Sequence, residues 1–367
     1  MSESYAKELE KKQILQLRSV TKELPPYVRD FFRSIETTTQ PRTRIGYAYD
    51  IKYFLEFLKE TNPALRDKEL YQITCADLNQ LTARDFEEYM DYLSLYTKNG
   101  REYTNSNASK KRKLVGIRVF FKFLYTSDMI EQNVTEKVRT PKIREKAIVR
   151  MQANETADFL DNVEYGTKLT DRQQKFHERD KVRDLALLTL MLSTGIRVSE
   201  CVGLNVDDID FDNSRIKVTR KGGAESYVFF SDEAETYLRD YLRIRKKIIP
   251  LDGHENALFL SSQRRRMSVR TVENMVKKYA RTTTPLKHIT PHKLRSTYGT
   301  ALYQETGDIY LVADVLGHKD VNTTRKHYAD MDEDKKRAAR NRVTLRESLT
   351  DIRSEVKSEV SDDTSDD

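Results

Sequence analysis

Residues 180–200 read Asp-Lys-Val-Arg-Asp-Leu-Ala-Leu-Leu-Thr-Leu-Met-Leu-Ser-Thr-Gly-Ile-Arg-Val-Ser-Glu. The first fourteen predict a helix, with Val182, Leu185, Leu188, Leu190 and Leu192 near a core. Gly195 is the kind of residue that ends a helix in the left-handed conformation. Arg197 then opens a second, short helix over Val198 to Leu204. A side chain at such a junction projects while the flanking helices hold its backbone still. Working outward, the period changes at Arg215 to Phe230. There Ile216 and Val218 alternate with polar residues, Gly222-Gly223 provides a turn, and Tyr227, Val228 and Phe229 form a return strand. From Phe230 to about Arg346 the chain reads as helical again.

Upstream the reading is helical throughout. Residues 13–35 carry scattered apolar positions, with a turn at Pro25-Pro26. Thr43 to Lys59 places Ile45, Tyr49, Tyr53, Phe54 and Phe57 three or four apart, and Asp77 to Leu95 repeats the pattern with Leu81, Phe86, Tyr89 and Leu93. Thr82 and Asp85 are spaced as a helix N-cap pair. Ser109 to Tyr125 carries an apolar stripe of Leu114, Ile117, Phe120, Phe121 and Leu124 behind a basic first turn. That gives four or five helices and no strand before residue 139. Only 12 Gly and 8 Pro in 367 residues agree with a mainly α protein.

The length suits two domains. Residues 139–150 hold Pro141 and five basic side chains but no apolar period, which marks a linker. Residues 348–367 are rich in Ser, Asp and Glu, and disorder is expected there. Residues 351–367 carry seven acidic and two basic side chains, so the rest of the chain stands at +12 against +7 for the whole. A basic body of that size suits a polyanion such as DNA, although charge alone reads as well as a solvated surface. Cys75 and Cys201 are the only cysteines, too few for a disulfide framework or a zinc site. The sequence shows no P-loop, no acidic cluster spaced for Mg²⁺ and no membrane span, so no cofactor, no metal and a cytoplasmic location in a bacterial or phage-like setting are expected.

The residues with chemical potential come in a fixed order. Arg197 offers planar, bidentate donation to phosphate oxygens; taken alone it reads more readily as a surface arginine near Glu200. Thr290-Pro291-His292-Lys293-Leu294-Arg295 reads as a helix start, with Thr290 as N-cap and Pro291 first. His292 and Arg295 then share one face near a positively polarised helix start, which suits an anion. Leu316-Gly317-His318 ends an apolar helix, leaving His318 in the following loop. Tyr328 lies ten residues further on; with 20 tyrosines in the chain, its position after His318 is what selects it. His327 diverges from Tyr328 by about a hundred degrees on a helix and is set aside. Lys221 sits just before the Gly222-Gly223 turn, with Arg220 its rival on the opposite face.

The segments TGIRVSE, HKLR, LGH and HYAD resemble the Arg…His-x-x-Arg…His…Tyr signature of the tyrosine recombinase, or phage integrase, family. VTRKGG resembles that family's lysine-bearing hairpin, and Thr43 to Tyr125 resembles its core-binding domain. LPPYVRDFF is similar to the start of the Xer-type single recombinases of Gram-positive bacteria. The resemblance covers residues 25–345. It implies a SAM-like helical DNA-binding domain over 1–138, a basic linker over 139–150, a mostly helical catalytic domain with a small antiparallel sheet over 151–347, and a tail from 348. It further implies that Tyr328 attacks the scissile phosphate to form a 3′-phosphotyrosyl link. Arg197 and Arg295 would neutralise the non-bridging oxygens, Lys221 would protonate the leaving 5′-oxygen, His292 would assist proton transfer and His318 would bond the phosphate. The implied partners are a double-stranded recombination site, three further copies in a homotetramer on two duplexes, and an accessory division or DNA-translocase protein. Lys110, Lys111, Arg112, Lys113, Arg118 and Arg220 are the expected DNA contacts, unless the helical ones are a solvated face. Two features depart from the family: the hairpin lacks further basic residues after Lys221, and only 42 residues precede Thr43, too few for an arm-binding domain. Chromosome-dimer resolution is the expected role. Mobile-element integration, topoisomerase-like nicking and closing, and DNA binding without catalysis are the alternatives.

Overall fold

The computed structural model describes residues 5–143, 149–220, 223–318 and 320–321. The chain divides into two compact units, Met1–Lys146 and Ala147–Asp367. Unit one contains α1 (Tyr5–Thr21), α2 (Pro26–Ser34), α3 (Pro41–Thr61), α4 (Cys75–Asn79) and α5 (Ala83–Tyr92), then a hairpin of β1 (Tyr96–Lys98) and β2 (Arg101–Tyr103), then α6 (Asn107–Thr126). The start of α5 is fixed as its sequence predicts: Asp85 accepts from the Thr82 backbone N–H at 2.7 Å and from its hydroxyl at 2.8 Å. The hairpin departs from the all-helical expectation. Its turn is Asn99-Gly100, both residues at positive φ, which is the pair that suits the tight turn of antiparallel strands.

Aromatic rings dominate this unit's core. The Phe54, Phe86 and Phe121 centroids lie 5.0–6.0 Å apart in stacked and edge-on pairs, and the α6 stripe from Leu114 to Leu124 is buried. Within it, Asp50 of α3 is fully buried. Arg112 grips it with two bonds of 2.7 and 2.6 Å, and Lys113 Nζ lies 3.5 Å away, over the Tyr53 ring. Burial pushes the Asp50 carboxyl above the usual carboxylate range, against the pull of Arg112 and Lys113, and pushes the Lys113 ammonium below its ordinary value. Both shifts favour the neutral forms, as expected where desolvation outweighs mutual attraction.

Unit two contains α7 (Ala153–Tyr165), α8 (Asp171–Thr194), α9 (Val198–Gly203), the strands β3 (Ile209–Asp210), β4 (Arg215–Thr219) and β5 (Glu225–Phe229), then α10 (Asp232–Arg245), α11 (Val269–Thr283), α12 (Pro291–Thr306) and α13 (Ile309–Leu316). The strands form one antiparallel sheet in the order β3-β4-β5, with Ile216 opposite Val228. Leu185, Leu188 and Leu190 of α8 are buried among residues of α7, α10 and α11. The expected helical run after Phe230 is interrupted. Residues 246–268 are turns held by the antiparallel bridges Asn205↔Ala257 and Leu260↔Arg266, and they bury Leu258 and Phe259. Pro250 and Gly253 break the helical pattern there, and the apolar run is too short for a helix. The expected tail and the helical run from residue 322 to about Arg346 lie outside the described residues, as does much of the linker. Among the described residues no helix is long and apolar enough to cross a membrane.

Replacing Asp50 with alanine strands Lys113 without its carboxylate. Urea unfolding of the full chain is expected to show a loss of about 3–5 kcal/mol in the first unit. Adding Lys113→Met to that variant is expected to recover most of the loss.

Candidate active site

The site begins at the end of α8. Gly195 adopts φ +62°, and a Cβ there would fall 2.5 Å from Tyr298 Cδ1 and 2.7 Å from Leu316 Cδ2. Glycine is therefore required twice, for the left-handed turn and for the close approach of α12 and α13. Burial pushes the Tyr298 hydroxyl up, so this ring serves as neutral packing. Two residues later Arg197 caps α9. Its backbone N–H donates to Glu200 Oε2 at 2.8 Å, and its Nη1 donates to Oε1 at 2.8 Å.

At the other end of the unit, α13 stops at Gly317, with φ +61°, and His318 follows half-buried in the loop. Three successive carbonyls at this helix end each accept from a different arginine. Val315 O accepts from Arg220 Nη2 at 3.3 Å, Leu316 O from Arg295 Nη2, and Gly317 O from Arg197 Nη2 at 3.2 Å. Arg295, on α12 and almost wholly buried, also donates Nη1 to Gly195 O at 2.6 Å, so it ties together the two glycine-ended helices. Glu200 completes the cluster: its side chain is 3% exposed, and Oε2 also accepts from Arg220 Nη1 at 3.2 Å. Three guanidiniums against one carboxylate leave a positive centre. Arg197 faces outward enough, at 33% side-chain exposure, for an anion to reach it.

The structure thus brings Arg197, Arg295 and the turn bearing His318 into one place. His292, in the first turn of α12 one turn before Arg295, is exposed while Arg295 is buried. Lys221 and Tyr328 lie outside the described residues. Arg220, expected as a DNA contact and as the rival of Lys221, turns inward and is 14% exposed. Glu200 was not selected from the sequence, although its place three residues after Arg197 carries the spacing of a capping pair. On α6, Lys111 and Arg112 remain exposed, and Lys110 donates to Ser94 Oγ. Lys113 and Arg118, expected among the DNA contacts, have their side chains engaged within the protein. Lys113 is buried beside Asp50, and Arg118 holds the carbonyls of Thr135 and Val138 and the Thr140 hydroxyl.

An arginine cluster organised on two glycine-terminated helices, beside a small sheet in a mainly helical unit, has the donors that suit a phosphodiester. The chain belongs to the phage integrase family of site-specific tyrosine recombinases, whose pattern it matches over residues 150–335. It is 33% identical to the tyrosine recombinase XerS of Streptococcus agalactiae, across 86% of this chain and 94% of that one. It is 30% identical to the tyrosine recombinase XerC of Caldanaerobacter subterraneus, across 88% and 87% respectively. The fold is shared with the XerH recombinase bound to a palindromic difH substrate (TM-score 0.60, 18% identity, 82% of this chain and 78% of that one). It is also shared with a lambda integrase dimer bound to a core site (TM-score 0.58, 17% identity, 88% and 98%).

Gly195→Ala introduces a Cβ where both conformation and space forbid one. Thermal and urea unfolding are expected to show a loss of at least about 1–3 kcal/mol from the left-handed turn alone, together with lost DNA cleavage.

Proposed function

We propose that this recombinase acts as a homotetramer on two copies of a double-stranded site, cutting each strand through Tyr328. Arg197 and Arg295 place positive charge on the non-bridging oxygens, where it grows in the transition state. His318 bonds the phosphate, His292 assists the proton of the tyrosine, and Lys221 protonates the departing 5′-oxygen. The phosphotyrosyl bond conserves the energy of the broken linkage, so that attack by a partner strand's 5′-hydroxyl reseals DNA without ATP. One observation carries this reading: Arg197 and Arg295, distant in sequence, both meet the Leu316-Gly317 carbonyls beside His318.

DNA affinity is assigned mainly to phosphate contacts from Lys110, Lys111 and Arg112 in the first unit, and it should weaken with salt. A nicked suicide duplex tests the chemistry. Wild type is expected to accumulate a covalent adduct and Tyr328→Phe none; a wild type that traps no adduct on its own site overturns the catalytic assignment.

The XerS and XerC names of its relatives support resolution of chromosome dimers, with an accessory division or DNA-translocase protein as partner. Mapping the bound genomic sites checks this. A single site near the replication terminus is the expected result, and sites flanking an element would instead assign the enzyme to element movement.

A further inference from the structure

We infer that Arg220 is a positioning residue that aims Arg197 at the phosphate. The inference rests on the role given to Arg197 above. Arg220 stands at the end of β4 and uses three nitrogens on three different elements. Nε donates to Ser226 Oγ on β5 at 3.0 Å, Nη1 to Glu200 Oε2 on α9 at 3.2 Å, and Nη2 to Val315 O on α13 at 3.3 Å. At 14% exposure it is poorly placed to receive a substrate phosphate itself.

Its effect on Arg197 passes through Glu200. A planar guanidinium beside a carboxylate favours the two-bond grip of both oxygens. Arg197 holds Oε1 with one nitrogen only, and its other terminal nitrogen reaches Gly317 O. Oε2 already accepts from the Arg197 backbone N–H, and Arg220 fills its remaining acceptor position, which blocks the two-bond side-chain grip and keeps the Arg197 fork facing the turn that carries His318. Removing Arg220 reopens that second acceptor position on Oε2, and Arg197 rotates onto Glu200 and away from the phosphate position.

Space at the turn fits this role. The guanidinium lies against Gly317, where a Cβ would come within 3.0 Å of Arg220 Cζ and 3.1 Å of Nε. Lysine cannot replace it, because one ammonium cannot span acceptors on three elements.

The test compares covalent cleavage of two suicide duplexes bearing the mapped genomic site. One carries the natural scissile phosphate and the other a charge-neutral methylphosphonate, which needs less help from an arginine. Arg220→Ala is expected to slow cleavage of the phosphate duplex about ten- to a hundredfold, the scale of losses when a supporting hydrogen-bond partner is removed. On the methylphosphonate the gap to wild type is expected to shrink, as it should for Arg197→Ala. Arg220→Lys, which keeps charge and stem if the alanine variant melts early, is expected to retain the defect and the same substrate dependence. An equal loss on both duplexes, alongside a shrinking gap for Arg197→Ala, overturns the inference and leaves Arg220 as scaffold. Full activity of Arg220→Lys overturns it too. If Arg197→Ala loses equally on both duplexes, the role of Arg197 itself falls, and the inference with it.

Discussion

The arrangement of the second unit depends on how the end of α13 is satisfied. A helix terminus leaves its last carbonyls without intrahelical partners and gathers partial negative charge there. Arg220, Arg295 and Arg197 answer three successive carbonyls from β4, α12 and the start of α9. Three guanidiniums this close would repel one another in the absence of counter-charge. The carbonyl dipoles and the Glu200 carboxylate supply it, so the cations are ordered before any DNA arrives. An anion entering such a centre meets donors that need little rearrangement, the condition under which electrostatic stabilisation is most effective.

The first unit solves a related problem with the same means. Asp50 is buried between Arg112 and Lys113 much as Glu200 is buried between Arg197 and Arg220. In each case one carboxylate fixes two cations, leaving one of them more exposed than the other. Arg112 stays half-exposed while Lys113 is withdrawn, and Arg197 stays a third exposed while Arg220 is withdrawn. The buried cation gives up solvent contact, and the exposed one is presented in a defined orientation.

Much of this was legible from the sequence where the signal is local. Gly195 and Gly317 announced helix ends, and Thr82 with Asp85 announced a helix start, because each acts within a single turn of chain. The family pattern chose Arg197, Arg295 and His318, and the fold brings them together. The inward turns of Lys113 and Arg220 were not legible, since Asp50 and Val315, which draw them in, lie far along the chain. Nothing in the basic run of α6 distinguishes the lysine that faces a buried aspartate from the one that faces water. Asn99-Gly100 was legible and passed over, its short strands lost among strong helical patterns. The irregular stretch 246–268 is tied by the bridge from Ala257 to Asn205, again a distant partner, while its Leu260–Arg266 bridge is local.

The bonds that assemble the centre join residues 95, 100 and 120 positions apart. Contacts of that span form late in folding, because a long loop must close before any of them can be made. While the polypeptide is still being synthesised, α8, α9 and the β4-β5 hairpin leave the ribosome well before α12 and α13. Until those last helices arrive, Arg197 has only Glu200 to hold and no turn to define its direction. The arginine centre is thus assembled in the closing stage of biosynthesis, and an unfinished chain carries its guanidiniums unassembled.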